Sequence, residues 1–430
     1  MLGLSGKAYL RLVLLGALIG IPAALVAAAF LAVVHAGENL LWDDLPDALG
    51  YASPPWFLVL GVPTVGGLVV LAARRLLPGD GGHSPLNGIG GGATALSHVP
   101  GIALAAFGTL AFGAVLGPEA PLIALGSAVG VAVTLLVRLG PRETEVMGTA
   151  GSFSAVSALF GGPLVAGMLL LEGAVGLGAA VIPVLLPGLV AAAVGYTIFV
   201  GLGSWAGLEA AGLRVPDLPA YDGTRELDLL LALVIGVVLA LVMFLVRRLA
   251  TVLAEQSRRH GLGLFLVGGG LAVGALALAA DALGVDSQEV LFSGQSSIPA
   301  LVQESSAAAI AVLFAAKAVA YAVCLGCGFR GGPVFPAVFL GVSVAMLAVV
   351  WFDVSPTLAV AVGAGAGMTA GTRLVFSSLL LGSLLVGTDG LDALPAAVIA
   401  VAAAWITTAF LVGHEETERD LSLPTGESPT

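Results

Sequence analysis

Long apolar runs joined by short polar segments make up most of this chain. Residues 8–36, 55–77, 102–137, 146–172, 174–202, 229–246, 262–284, 307–327, 333–352, 357–386 and 391–412 carry very few charges. About 20 such residues suffice for a helix to cross a ~30 Å hydrocarbon core. The pattern therefore predicts an all-α integral membrane protein. Two of the runs are interrupted. Gly117-Pro118 divides 102–137, and Phe160-Gly161-Gly162-Pro163 divides 146–172, so helices should end and restart there. The stretch from Gly79 to Pro85 is too polar and glycine-rich for a membrane helix. At membrane depth such backbone is tolerated only inside protein or along a wet cavity.

Charge orients the runs. Lys7, Arg11, Arg74 and Arg75 fall on one side, which the positive-inside rule makes cytoplasmic, and Glu38, Asp43, Asp44 and Asp47 then lie in an external loop. The apolar run after Lys7 and Arg11 exceeds the ~7–15 residues of a signal-peptide core and reads as a retained first helix. The polar segment 203–228 is the clearest seam, which predicts a first repeat over 1–215 and a second over 216–412. Arg247, Arg248, Arg258 and Arg259 should be cytoplasmic again, so the halves run with opposite topology. A short polar tail, 413–430, is expected to be disordered. N- and C-termini are placed in the cytoplasm and the protein in the cell membrane.

Glu119 is the only charged residue between Asp80 and Arg138, and an intramembrane carboxylate is a functional-site hypothesis by default. It sits in Gly117-Pro118-Glu119-Ala120-Pro121. The Gly-Pro step opens a helix whose first amides, at Glu119 and Ala120, point free at its positive end, ready for an anion. The device recurs as Gly332-Pro333-Val334-Phe335-Pro336, both copies reading G-P-x-x-P-x-x-x-L-G. Upstream, Ser84-Pro85 and Ile298-Pro299 stand at nearly matching distances. Broken-helix starts in corresponding places of two halves point to a transporter's binding site.

Composition narrows the class further. Of 430 residues, 58% are hydrophobic and 10% charged, against about 25% charged in a soluble domain. The 61 glycines suit closely packed membrane helices. No basic patch for nucleic acid occurs, and no cofactor motif is present. Neither a G-x-x-x-x-G-K-[ST] loop nor a G-x-S-x-G or H-E-x-x-H motif is found, so an enzyme is not expected. Cys324 and Cys327 lack further metal ligands nearby and read as packing residues.

These residues resemble the chloride channel (ClC) family of chloride channels and chloride/proton antiporters, over roughly residues 8–412. Gly117-Pro118-Glu119-Ala120-Pro121 stands where the family has G-R-E-G-P, whose Glu is the gating carboxylate, and Gly332-Pro333-Val334-Phe335-Pro336 where it has G-x-F-x-P. Gly82-His83-Ser84-Pro85 resembles a shortened G-S-G-I-P, and Phe160-Gly161-Gly162-Pro163-Leu164 running on to Glu172 is similar to F-N-A-P-L…E-E. The resemblance implies the ClC-type fold: two inverted repeats whose broken helices meet at the midplane, no CBS domains, and a homodimer with one pore per subunit. The regions 174–202 and 391–412 are the expected dimer surfaces.

It also implies sites. Glu119 is the gate and proton carrier. Anions are expected at Gly117, Ala120, Gly332, Val334 and Phe335, with Ser84 or His83 as the filter donor. Both alternatives stand, because alignment from Gly81-Gly82 favours His83. Pro118 and Pro333 remove amides that the family's filter normally supplies. The pore-lining Tyr near the C-terminus has no counterpart, as no Tyr follows Gly413. The inner proton-transfer Glu is replaced by Gly173, which leaves Glu172 either on a proton path or at a helix end reaching water. Arg330 reads equally as an anion-attracting charge or a vestibule cation, and Lys317 as a buried structural cation. The expected function is chloride transport through a protonation-gated pore, as channel or exchanger. Fluoride, nitrate or an organic acid is the alternative cargo, and a cation-coupled carrier the remoter one.

Overall fold

Helices form along almost every apolar run. The structure, a computed structural model, describes residues 6–173, 182–206, 213–221 and 223–422. The first half contains α1 (Gly6–Asn39), α2 (Trp56–Leu76), α3 (Val99–Leu110), α4 (Glu119–Val137), α5 (Pro141–Leu159), α6 (Pro163–Gly173) and α7 (Ile182–Ala206). The second contains α8 (Glu226–His260), α9 (Leu262–Asp281), α10 (Ile298–Gln303), α11 (Ala307–Cys327), α12 (Val334–Phe352), α13 (Pro356–Thr372), α14 (Phe376–Val386) and α15 (Leu394–Ser422). Among the described residues, nine helices are long and apolar enough to cross a membrane. The chain is a multi-pass integral membrane protein. The expected span 174–202 and seam 203–228 fall partly on 174–181, 207–212 and 222, outside the described residues.

The halves repeat each other as broken-helix pairs of opposite topology. In the first, α4 crosses α5 where Gly126 meets the backbone of Gly151; in the second, α12 crosses α13 where Gly341 meets that of Gly363. A side chain at any of these four would collide with the opposing helix, so the L-G of the repeated motif is a helix-crossing point. These two crossings flank a core in which α12 and α13 are buried on nearly all sides.

Four boundaries differ from the sequence expectation. The run 357–386 is two helices, because the chain turns at Arg373, which is left-handed at φ 65°. The acidic stretch after α1 is not an open loop. It continues as a π-helical turn, Leu40–Asp44, that turns Trp42 inward to donate to the Ala111 carbonyl at 3.1 Å. Helix α8 extends well past 246 and carries the basic cluster on its own last turns; its 35 residues make it about 52 Å long, more than a bilayer core requires. Finally, α15 runs on through Ser422, past the predicted start of a disordered tail at 413; residues 423–430 lie outside the described residues.

Candidate functional site

The two Gly-Pro turns meet head to head. The Gly117 amide donates to the Gly332 carbonyl at 2.8 Å, and the Gly332 amide returns the bond to Gly117 at 2.5 Å. This isolated antiparallel bridge joins the repeats at the starts of α4 and α12. Pro118 and Pro333 occupy equivalent N-cap positions, at φ, ψ of −82°, −1° and −90°, −4°. Each therefore stands one residue ahead of the first helical position that the Gly-Pro pattern predicts for it.

The repeats differ at the residue after each proline, Glu119 in one and Val334 in the other. Glu119 starts α4, yet its carboxylate crosses to the other repeat. Oε1 accepts from the Val334 amide at 2.8 Å and the Phe335 amide at 3.0 Å. The acid thus caps α12, where an anion would meet two donors and the positive helix end. The side chain is fully buried, and Oε2 has no hydrogen-bond partner among the described residues. Burying half a carboxylate unpaired is costly, which marks the position as one not built for stability.

Two cavities reach the Pro118-Glu119-Ala120 step, one at Pro118 and one at Ala120. The larger, about 1080 Å³, is lined by Pro118, Leu116 and Phe335, and further out by His35, Glu38, Asp43 and Arg214. The smaller, about 280 Å³, is lined by Ala120, Ile123, His83, His98 and the loop Gly90-Gly91-Gly92. Glu119 lines neither, and its two chain neighbours line one each. His83, not Ser84, shares the smaller cavity with Ala120; the Ser84 carbonyl instead accepts from the Asn87 amide at 3.0 Å in the following turn. His83 is exposed at the rim, while one edge of its ring packs on Gly90. Desolvation of the packed edge lowers its pKa, and the Arg330 guanidinium adds to that against an opposing bond at Asn87.

Around the junction, each partner has a local cause. Phe335 stacks on Phe160 with centroids 5.5 Å apart, which ties the Phe160-Gly161-Gly162-Pro163 break to α12. The Tyr321 hydroxyl, on α11, donates to the Pro333 carbonyl at 2.9 Å. Sequence reasoning missed Tyr321, because nothing local ties it to a residue at the next helix start. Arg330 is held by Asp80, through Nε to the backbone at 3.0 Å and Nη2 to the carboxylate at 2.5 Å. Arg74 grips the same carboxylate at 2.8 Å from both Nε and Nη2. Burial, with Arg74 beside it, pushes Arg330 down to about 10, so it stays cationic at neutral pH. This clasp fastens the Gly79–Gly82 loop to the turn before α12.

The remaining candidates lie apart from the bridge. Glu172 ends α6 and caps α14: Oε1 accepts from the Val375 and Phe376 amides at 3.0 and 2.8 Å, Oε2 from the Ser377 amide and hydroxyl at 2.7 and 2.5 Å. Lys317 is fully buried and donates to the carbonyls of Glu289, Val290 and Leu291 at 2.6, 3.3 and 2.9 Å, over the face of Phe339. The Cys324 sulfur accepts from the Val115 amide at 3.2 Å.

Comparison with known proteins agrees with this arrangement. Residues 85–408 match the family described as Voltage gated chloride channel. Proteins assigned to ion transport and named YfeO are similar: that of Escherichia coli strain SE11 is 31% identical over 363 residues, and that of Shigella boydii serotype 4 is 30% identical, each covering 81% of both chains. Among solved structures, a slow cyanobacterial Cl−/H+ antiporter superposes with a TM-score of 0.77 at 16% identity, over 97% of this chain and 99% of that one. A CLC-type fluoride/proton antiporter gives 0.74 at 22% identity, over 95% and 98%. The fold is shared with both. Doubled Gly-Pro helix starts, a carboxylate between them and a match over most of its length lead to one assignment: this chain belongs to the voltage gated chloride channel family.

Proposed function

We propose that the protein moves small anions, chloride foremost, across the cell membrane through a pore that Glu119 opens and closes by changing protonation state, as a channel or as a chloride/proton exchanger. One observation carries the reading: the Glu119 carboxylate fills the amide-lined start of α12, while its neighbours Pro118 and Ala120 line one cavity each. An ionised carboxylate there is a tethered substitute for a halide. Protonation removes the charge that holds it on the two amides, and an anion then takes the place. Each proton taken up by Glu119 from one cavity and released to the other is thereby linked to anion movement.

The larger cavity is the external mouth and the smaller one the cytoplasmic mouth. Arg74, beside the smaller cavity, sits on the positively charged side of the chain, and both termini face the cytoplasm. On that side Arg330 and Arg74 outnumber Asp80 within the clasp, which favours anion approach. The molecule works as a homodimer with one pore per subunit. Fluoride is the second reading: the seat on α12 has just two amide donors to Glu119, Pro333 having none, and a fluoride/proton antiporter shares the fold.

Purified protein in liposomes, with chloride or fluoride efflux and pH recorded together, tests both readings. Uphill proton movement driven by an anion gradient means exchange; anion flux without it means a channel. Glu119→Gln is expected to retain passive flux and lose both pH dependence and coupling. Full pH-dependent coupling in that variant would remove Glu119 from the gate.

A further inference from the structure

We propose that Gly117 and Gly332 form the socket of the gate: the side chains they lack are the space in which the Glu119 carboxylate reaches the Val334 and Phe335 amides, and one methyl group at Gly117 evicts it. The inference rests on the gate reading of Glu119 and assigns these glycines a task distinct from anion contact.

Neither glycine is needed for its backbone conformation, since neither lies in the left-handed region. Gly117 also precedes a proline, which favours extended backbone that alanine adopts as readily. Their requirement is spatial. A Cβ on Gly117 would overlap Glu119 Oε2 and stand 2.6 Å from Cδ and 2.7 Å from Oε1. Its three nearest atoms are all in the carboxylate, well inside the ~3.5 Å or more at which non-bonded atoms sit comfortably. A Cβ on Gly332 would overlap the carboxylate too, and would stand 3.0 Å from Glu119 Cβ.

Something must yield, and the parts differ in stiffness. The two glycines are locked to each other by reciprocal hydrogen bonds of 2.8 and 2.5 Å at the starts of two buried helices. The carboxylate is the free end of a flexible side chain. It moves, and the bridge stays. Gly117→Ala is the cleaner probe, because the three atoms nearest its added methyl are all in the carboxylate, whereas at Gly332 one of the three is a carbon that most substitutions at 119 retain.

The test is anion efflux from liposomes containing full-length protein, at neutral and acid pH, for Gly117→Ala, Glu119→Ala, the double variant and Glu119→Gln. Gly117→Ala is expected to lose pH dependence as Glu119→Gln does, and to leave the pH profile of Glu119→Ala unchanged when added to it, because its target is then gone. Wild-type pH dependence in Gly117→Ala overturns the socket. So does an equal slowing by Gly117→Ala in both backgrounds, since the methyl would then be obstructing the path itself. If Gly117→Ala alone fails to fold while the double variant folds, the overlap with the carboxylate is the cause and the socket stands; if neither folds, it falls. Persistent pH dependence in Glu119→Gln overturns the gate reading and the socket with it, an outcome distinct from the others.

Discussion

Glu172→Ala removes a clamp between the two repeats whose partners lie 203 to 205 residues away in sequence. The carboxylate accepts three backbone amides and one hydroxyl at the start of α14. Hydrogen bonds to a charged group are worth about 1.5–3 kcal/mol each when buried, but Glu172 is half-buried and water replaces part of that. Loss of an ordinary helix cap costs about 0.5–2 kcal/mol, and the helix end adds roughly 0.3–1 kcal/mol for a negative charge. The sum is about 1–3 kcal/mol for Glu172→Ala and about half that for Glu172→Gln, whose amide oxygen still accepts. Thermal unfolding in detergent should show a drop of a few degrees, larger for Ala, given roughly 2–4 °C per kcal/mol in mid-sized chains and less in longer ones. Because all four donors engage the carboxylate as an anchor, Glu172→Gln should keep the pH dependence of anion flux. Unchanged unfolding temperature with proton-linked flux abolished would refute this and put Glu172 on the proton path.

Lys317→Met keeps the bulk against Phe339 and strands three carbonyls, those of Val290 and Leu291 buried, that the ammonium now satisfies. It should cost about 3 kcal/mol, read as a fall in unfolding temperature. His83 bears on pH through the smaller cavity. Desolvation of its packed edge lowers its pKa below the ordinary value of about 6.5, with Arg330 alongside. The ring is therefore neutral at neutral pH. Its contribution to stability is complete above that ordinary value and is lost as pH falls through the lowered one. The unfolding-temperature difference that His83→Gln makes should therefore move in the variant's favour as pH falls through that range; a difference independent of pH would contradict it.

What could be read from the sequence was local chemistry. Gly-Pro dictates a helix start wherever it occurs, so the doubled motif marked both broken helices before their meeting was visible. An isolated acid in an apolar run marked Glu119 in the same way. What stayed hidden depended on distant partners. The run 357–386 looks continuous because its turn at Arg373 is matched by Glu172 in the other repeat. Tyr321 reads as one more residue of an apolar helix until its hydroxyl meets Pro333. Ser84 and His83 are neighbours in sequence, and only the folding of the glycine-rich loop puts His83 beside Ala120. Helix α1 likewise outlasts its apolar run because Trp42 finds a carbonyl inside the fold.

The crossed pair of backbone bonds between Gly117 and Gly332 limits how this subunit can cycle. A carrier that rocks one half against the other needs its halves to part near the substrate, and here they are pinned together at that very spot. On the proposed gate reading, exposure of cargo to one face and then the other falls to the swing of a side chain. Domain rearrangements take microseconds or longer, and a cycle that turns on one side chain needs none of them, with the scaffold standing still.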